Sequence, residues 1–279
     1  MEIRLLTDGD RPALEALLRP TEPRSLFLIG NAREHGIDDR GGPFHGVWVG
    51  ALDAGRLVGV AAFFRGFGSI APACGGQAPR LVPLLLEEIA RRGGRPRAVV
   101  GTAERVAEVL PHLPAPPARR LRERLLVAPL ETWRPRPMAA ARPLGEGDAA
   151  AVAEGLAGLQ RETNQKVESD EERLALARRL IARRALLGIV EGDRLLAFST
   201  ESATSGSWLH VGATWCAPEA RRRGLAGACV TAVVERARAA GRAGEGAVLF
   251  TGRENAPALG LYAKLGFRAD ADWELALLR

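Results

Sequence analysis

Two stretches of the chain carry the same succession of apolar and polar positions. "IRLLTDGDRPALEALL" (3–18) and "ARPLGEGDAAAVAEGL" (141–156) each pass from an apolar pair through a Gly-Asp turn into an amphipathic helix. Asp10 and Asp148 stand just before those helices, where a carboxylate can cap free backbone N–H groups. Further on, "VWVGALDAGRLVGVAAFF" (47–64) and "LLGIVEGDRLLAFSTESA" (186–203) both read as apolar strands around a Gly-containing hairpin turn. Helices follow over 81–94 and 224–241, each closed by Gly, and the strands "RAVVG" and "GAVLFTG" lead to another helix and a last strand. The repetition predicts two domains of one α/β (α+β) fold, each a mixed, mainly antiparallel sheet flanked by helices. The proline-rich runs "PHLPAPPARR" and "WRPRPMAAARP" interrupt the helical pattern. The second sets the expected boundary near 137, with domains over 1–137 and 138–279.

Composition narrows the class. With 47% hydrophobic and 26% charged residues the chain can bury a sizeable core. Its longest apolar runs, such as "LVPLLL" (81–86), fall far short of the ~20 residues that cross a bilayer. The opening "MEIRLLTDGD" lacks the pattern of a secretory signal. Cys74, Cys216 and Cys229 are scattered, which makes neither a disulfide framework nor a metal-ligand pattern, so a reducing cytoplasm is expected. The net charge of +6 rests almost wholly on arginine, because Lys166 and Lys264 are the only lysines. Residues 1–137 hold net +5 of it, clustered at "RRGGRPR", "RRLRER" and "RPRP". Such clusters are usually solvated turns and helix ends, so nucleic acid is not the expected partner.

Only the second half contains "SWLHVGATWCAPEARRRGLAGACV" (207–230). An apolar strand reaches Cys216, Pro218 stops it, and a basic loop enters a helix at Gly224. First-turn N–H groups have no helical partner and lie at the positive end of the helix dipole, so a phosphate placed there meets several donors. Gly224 has no side chain to block the approach, Ala226 is small, and Arg221, Arg222 and Arg223 add charge. The first-half counterpart, "SIAPACGGQAPRLVPLL", has no basic run before its helix, and Pro83 removes a donor.

Arg221-x-x-Gly224-x-Ala226 after a strand, followed by "VLFTGRENAPALGLYAKLGF", resembles the GNAT superfamily of acyl-CoA-dependent N-acyltransferases. Arg221, Gly224 and Ala226 match the family's phosphate-loop motif, and Asn255, Tyr262 and Gly266-Phe267 match its downstream positions. The resemblance covers about 140–279, and the first half resembles the degenerate GNAT-like domain of tandem members. Arg222 stands where many members have Gly, and Leu259 where close relatives often have a polar residue. The resemblance implies acetyl-CoA as co-substrate, with no metal. The loop Arg221–Ala226, including Leu225, would hold the pyrophosphate. Backbone groups of Trp215 and Cys216 would hold the pantetheine, with Asn255 and Tyr262 beside it.

Acyl transfer needs a neutral amine, a stabilised oxyanion and a proton for the leaving thiolate. Tyr262, the only tyrosine, keeps its proton at neutral pH and can act as the acid. Glu201 is the first candidate for the base and His210 the second, while Cys216 as a covalent nucleophile has no base placed beside it. The expected activity is acetyl transfer to a primary amine by direct attack, the acceptor being a small molecule or peptide. The alternative is a non-catalytic acyl-CoA sensor or regulatory module. The acidic run in "LQRETNQKVESDEERL" (159–174) could attract a cationic acceptor. No membrane partner is expected, and a homodimer is left open.

Overall fold

The computed structural model describes residues 1–137, 141–163 and 167–279. Residues 164–166 of the acidic stretch, and 138–140 beside the expected boundary, lie outside the described residues. The elements in chain order are β1 (Glu2–Leu5), α1 (Arg11–Leu18), α2 (Glu22–His35), β2 (Gly46–Asp53), β3 (Arg56–Phe64), β4 (Ser69–Ala73), α3 (Ala78–Arg91), β5 (Ala98–Thr102), α4 (Ala103–Val109) and β6 (Arg119–Pro129). The second half continues with β7 (Arg142–Pro143), α5 (Ala149–Glu162), α6 (Asp170–Ala182), β8 (Leu186–Glu191), β9 (Arg194–Thr204), β10 (Gly206–Cys216), α7 (Leu225–Ala239), β11 (Ala243–Gly252), α8 (Ala256–Lys264) and β12 (Arg268–Leu277). Two compact units result. The first comprises 1–126, 250–255 and 269–279, the second 127–249 and 256–268.

In the first unit the strand order is β1-β2-β3-β4-β5-β12. Every pair is antiparallel except β4–β5, where α3 makes the crossover. The second unit repeats this plan in the order β7-β8-β9-β10-β11, with one parallel pair, β10–β11, joined through α7. Each plan is the mixed, mainly antiparallel sheet that the duplicated pattern predicts. The last strand of the chain lies in the first unit, where Trp273 stacks on Phe250 at 4.4 Å and buried Glu274 accepts an ion pair from Arg120.

Alternation along β2 explains how both faces of the first sheet are covered. Val47, Val49 and Ala51 of β2 join Leu81, Leu85 and Ile89 of α3 in one core layer. Trp48 and Leu52 turn the other way, to Leu14, Leu18 and Ile29 of α1 and α2. In the second unit Phe198 and Leu195 pack with Val152 and Leu156 of α5, while Leu196 and Ala197 pack with Ala228 and Cys229 of α7.

The Gly-Asp turns repeat in atomic detail, with one change from the expectation. Neither Asp10 nor Asp148 caps its α-helix through the side chain. Each instead closes the short turn in front of it: Asp10 accepts from Thr7 N–H at 2.9 Å and Asp148 from Gly145 N–H at 2.7 Å. Each is also clamped by the arginine six residues earlier, Arg4 and Arg142, through two guanidinium bonds. Those bonds hold Asp10 at about 2 and lower Asp148 as well. No helix among the described residues is long and apolar enough to cross a membrane.

Candidate active site

Cys216 ends β10, and Pro218–Ala220 form a short turn that leads into the basic loop. Gly224 caps α7 in the left-handed conformation, φ +81°, with no atom within 4 Å of the place a Cβ would take. The first bond of the helix runs from Ala228 N–H to Gly224 C=O at 3.0 Å. The N–H groups of Leu225, Ala226 and Gly227 lie ahead of it, in the turn whose donors have no helical acceptor. Arg222, one of the two noted departures from the family pattern, has φ +62°. A left-handed residue other than glycine costs about 1 kcal/mol, which is the physical reason glycine suits this position. Arg222 and Arg223 are exposed. Arg221 is held, its Nε on the Cys216 carbonyl at 3.3 Å and its guanidinium paired with Glu162.

Beside the loop, the parallel ladder of β10 with β11 runs from Gly206↔Ala243 to His210↔Val248. β10 itself continues to Cys216, and its register with β9 is irregular between His210 and Thr214. Among the described residues, then, one edge of β10 beyond His210 has no ladder partner on the β11 side. Backbone groups of that edge, at Trp215 and Cys216, are of the kind that could meet the amides of an extended ligand. An unladdered strand edge ending at an open, glycine-capped helix start fits the elongated, phosphate-bearing shape of an acyl-CoA.

Tyr262 lies on α8, only 7% exposed, with its ring edge-on to Phe267 at 5.8 Å. The Thr214 side chain on β10 acts on its hydroxyl. Burial pushes the phenol up from its ordinary value, against a smaller downward pull from Thr214, so it is protonated at neutral pH. Gly266 follows at φ +92°, where a Cβ would fall 1.8 Å from the Thr132 carbonyl, so glycine is obligatory at the turn that ends this helix.

Trp215 points to the opposite side of β10. Its indole lies over α5, where a Cβ at Gly158 would come within 2.7 Å of the ring, and its Nε1 donates to Glu162 at 3.3 Å. It forms one wall of a cleft of about 300 Å³ with Glu154, Arg161, Asp193 and Arg194. Cys216 is half-buried; burial raises its thiol, with Arg221 and Arg223 pulling the other way, which does not make a ready nucleophile.

Glu201 on β9 is placed differently from a free base. Its carboxylate pairs with Arg242 and, at 3.3 Å, with Arg236 of α7, so both oxygens already face guanidinium groups. His210 is buried and desolvation lowers it to about 3, which keeps it neutral. Asn255 is exposed at the turn before α8, its N–H bonded to the Gly252 carbonyl at 3.1 Å, and belongs to the first unit. The structure therefore brings together Tyr262 and β10, and Arg221 with Cys216. Thr214 and Glu162 are not singled out by the sequence. Only the strand periodicity that places Thr214 and Cys216 on one face hinted at the first.

Residues 154–267 match the model of the Acetyltransferase (GNAT) family. Solved structures share the fold over nearly the whole length. A tandem GNAT protein from the clavulanic acid biosynthesis pathway is 17% identical, covering 98% of this chain and 97% of its own, with a TM-score of 0.61. A GCN5-related N-acetyltransferase from Sphaerobacter thermophilus is 18% identical over 98% and 94%, TM-score 0.62. A GNAT-family acetyltransferase from Colwellia psychrerythraea is 14% identical over 100% of both chains, TM-score 0.52. No curated protein matches the sequence.

Proposed function

We propose that the chain is an acetyl-CoA-dependent N-acetyltransferase whose reaction takes place in the second half, 138–279, with 1–137 as a degenerate copy of the same fold. The observation that carries the reading is the buried, protonated Tyr262 on α8, the helix that follows the parallel partner of the strand leading to the start of α7. Bound acetyl-CoA would supply an activated thioester. The α7 start with Arg222 and Arg223 would bind its phosphates, after Arg221 exchanges Glu162 for phosphate oxygen. Backbone groups of Trp215 and Cys216 would orient the pantetheine, and a β10 N–H would steady the oxyanion. Tyr262 would give the proton on its Oη to the leaving sulfur. An acceptor amine loses one N–H as one S–H forms, so protons balance.

Glu201 serves as base only if acceptor binding loosens one of its ion pairs. That double pairing is the observation favouring a second reading, an acyl-CoA sensor without turnover. Three free cysteines fit a reducing compartment, and we place the protein in the cytoplasm, acting on a small-molecule or peptide amine. The test is thiol release from acetyl-CoA in the presence of a panel of primary amines. Amine-dependent release supports the enzyme; binding of CoA without release supports the sensor.

A further inference from the structure

One face of α5 meets both the end of β10 and the basic loop. Gly155, Gly158 and Glu162 follow one another on that face at helical spacings of three and four. The glycines seat the Trp215 indole: a Cβ would stand 3.4 Å from the ring at Gly155 and 2.7 Å at Gly158. One turn further on, a single oxygen of Glu162, Oε1, takes two donors. Trp215 Nε1 donates to it at 3.3 Å, and the Arg221 guanidinium donates to it as well. Arg221 is tethered separately, since its Nε bonds the Cys216 carbonyl at 3.3 Å. The Arg221 and Glu162 side chains are 46% and 43% exposed, and an ion pair this open is weak.

We propose that Glu162 is the resident occupant of Arg221 and couples the basic loop to the Trp215 cleft: a phosphate that takes Arg221 leaves Glu162 with the indole alone. The inference rests on the acyl-CoA reading above and adds to it a residue that sets donor affinity. Glu162 and a phosphate compete for one guanidinium, so each CoA bound breaks one ion pair. The phosphate wins because it brings more charge and more oxygens, and the N–H groups at the start of α7 add to its hold. The Nε tether lets the guanidinium change partner without leaving the loop. Once Arg221 has gone over, Oε1 keeps one donor in place of two and draws the Trp215 Nε1 more strongly. That indole is a wall of the cleft with Glu154, Arg161, Asp193 and Arg194, so the exchange at the loop reaches the cleft through Glu162.

Calorimetry with CoA on the full-length chain reads the competition. Glu162→Gln keeps an acceptor for the indole and removes the charge, so it should tighten CoA binding about three- to fivefold. In an Arg221→Ala background the same substitution should change affinity by less than about 1.5-fold, because no guanidinium is left to release. Unchanged or weaker binding in Glu162→Gln, or equal tightening with and without Arg221, overturns the proposal. Tryptophan emission reads the coupling, and it decides alone where Arg221→Ala binds CoA too weakly to measure. Saturating CoA should shift the wild-type spectrum, and the shift should be lost in Trp215→Phe and in Glu162→Ala. A wild-type spectrum that CoA leaves unmoved, or a shift of full size in Glu162→Ala, overturns the coupling. Failure of wild type and Glu162→Gln alike to bind CoA defeats the acyl-CoA reading and this inference together. CoA binding that is indifferent to Glu162 defeats this inference alone.

Discussion

The two halves build the same strand–loop–helix junction and surround it differently. In the second, β10 passes through an arginine loop to Gly224, and the space before α7 is open. In the first, β4 passes through Gly75 and Gly76, both with positive φ, into α3. There the Gly76 N–H already faces the Glu108 carboxylate of α4, at 3.4 Å. Pro79 lies in the first turn of α3, which removes a donor and leaves the start less able to serve an anion. α4 and α8 hold the same place, each following the second strand of a parallel pair. One sends a carboxylate to the loop; the other brings a phenol to the strand. The comparison shows that architecture alone does not carry function. A helix start attracts negative charge in either half, and what differs is whether the protein supplies that charge itself.

The largest expected effect separates the helices. Tyr262→Phe should cut turnover about a hundredfold or more while CoA affinity by calorimetry stays within about twofold. Equal turnover would place α8 with α4 as a structural helix. Next, Gly224→Glu gives the second loop a resident carboxylate like that of the first, and should weaken CoA binding at least about tenfold. Glu108→Ala makes the reverse change. It should leave binding at one CoA per chain, because Pro79 and the missing arginines remain; a second site would show that Glu108 alone closes the first loop.

The paired Arg-Asp clamps allow a smaller comparison. Asp10 is held at about 2, below its ordinary value, by the Arg4 hydrogen bonds. Its stabilisation is therefore complete above about pH 4 and lost as pH falls toward 2. Asp10→Asn should lower stability by about 1 kcal/mol at neutral pH and flatten the acid limb of denaturant midpoints. Asp148→Asn should do the same in the second half. The smallest effect is expected from Arg222→Gly, which should raise stability by up to about 1 kcal/mol by releasing the left-handed conformation.

Much of this was legible in the sequence because it rests on local signals. The hairpins, the glycine-ended helices and the strand–Pro218–Gly224 junction each follow from residues near one another. The lone tyrosine before Gly266 was likewise visible, since helix and turn are set within the stretch. What escaped depends on partners far along the chain. Nothing local sends β12 to β5, or Glu108 to Gly76. Glu201 reads as an ionisable group on a strand, and only the fold supplies Arg236 and Arg242. Thr214 and Ser199 look like ordinary strand hydroxyls until register sets them side by side.

The central claim is that the second half turns over acetyl-CoA through Tyr262. Thiol release from acetyl-CoA, followed for wild type and Tyr262→Phe across a panel of primary amines, tests it most directly. The account predicts release that depends on at least one amine and collapses in the variant with CoA binding intact. CoA binding with no amine-dependent release from wild type would contradict it.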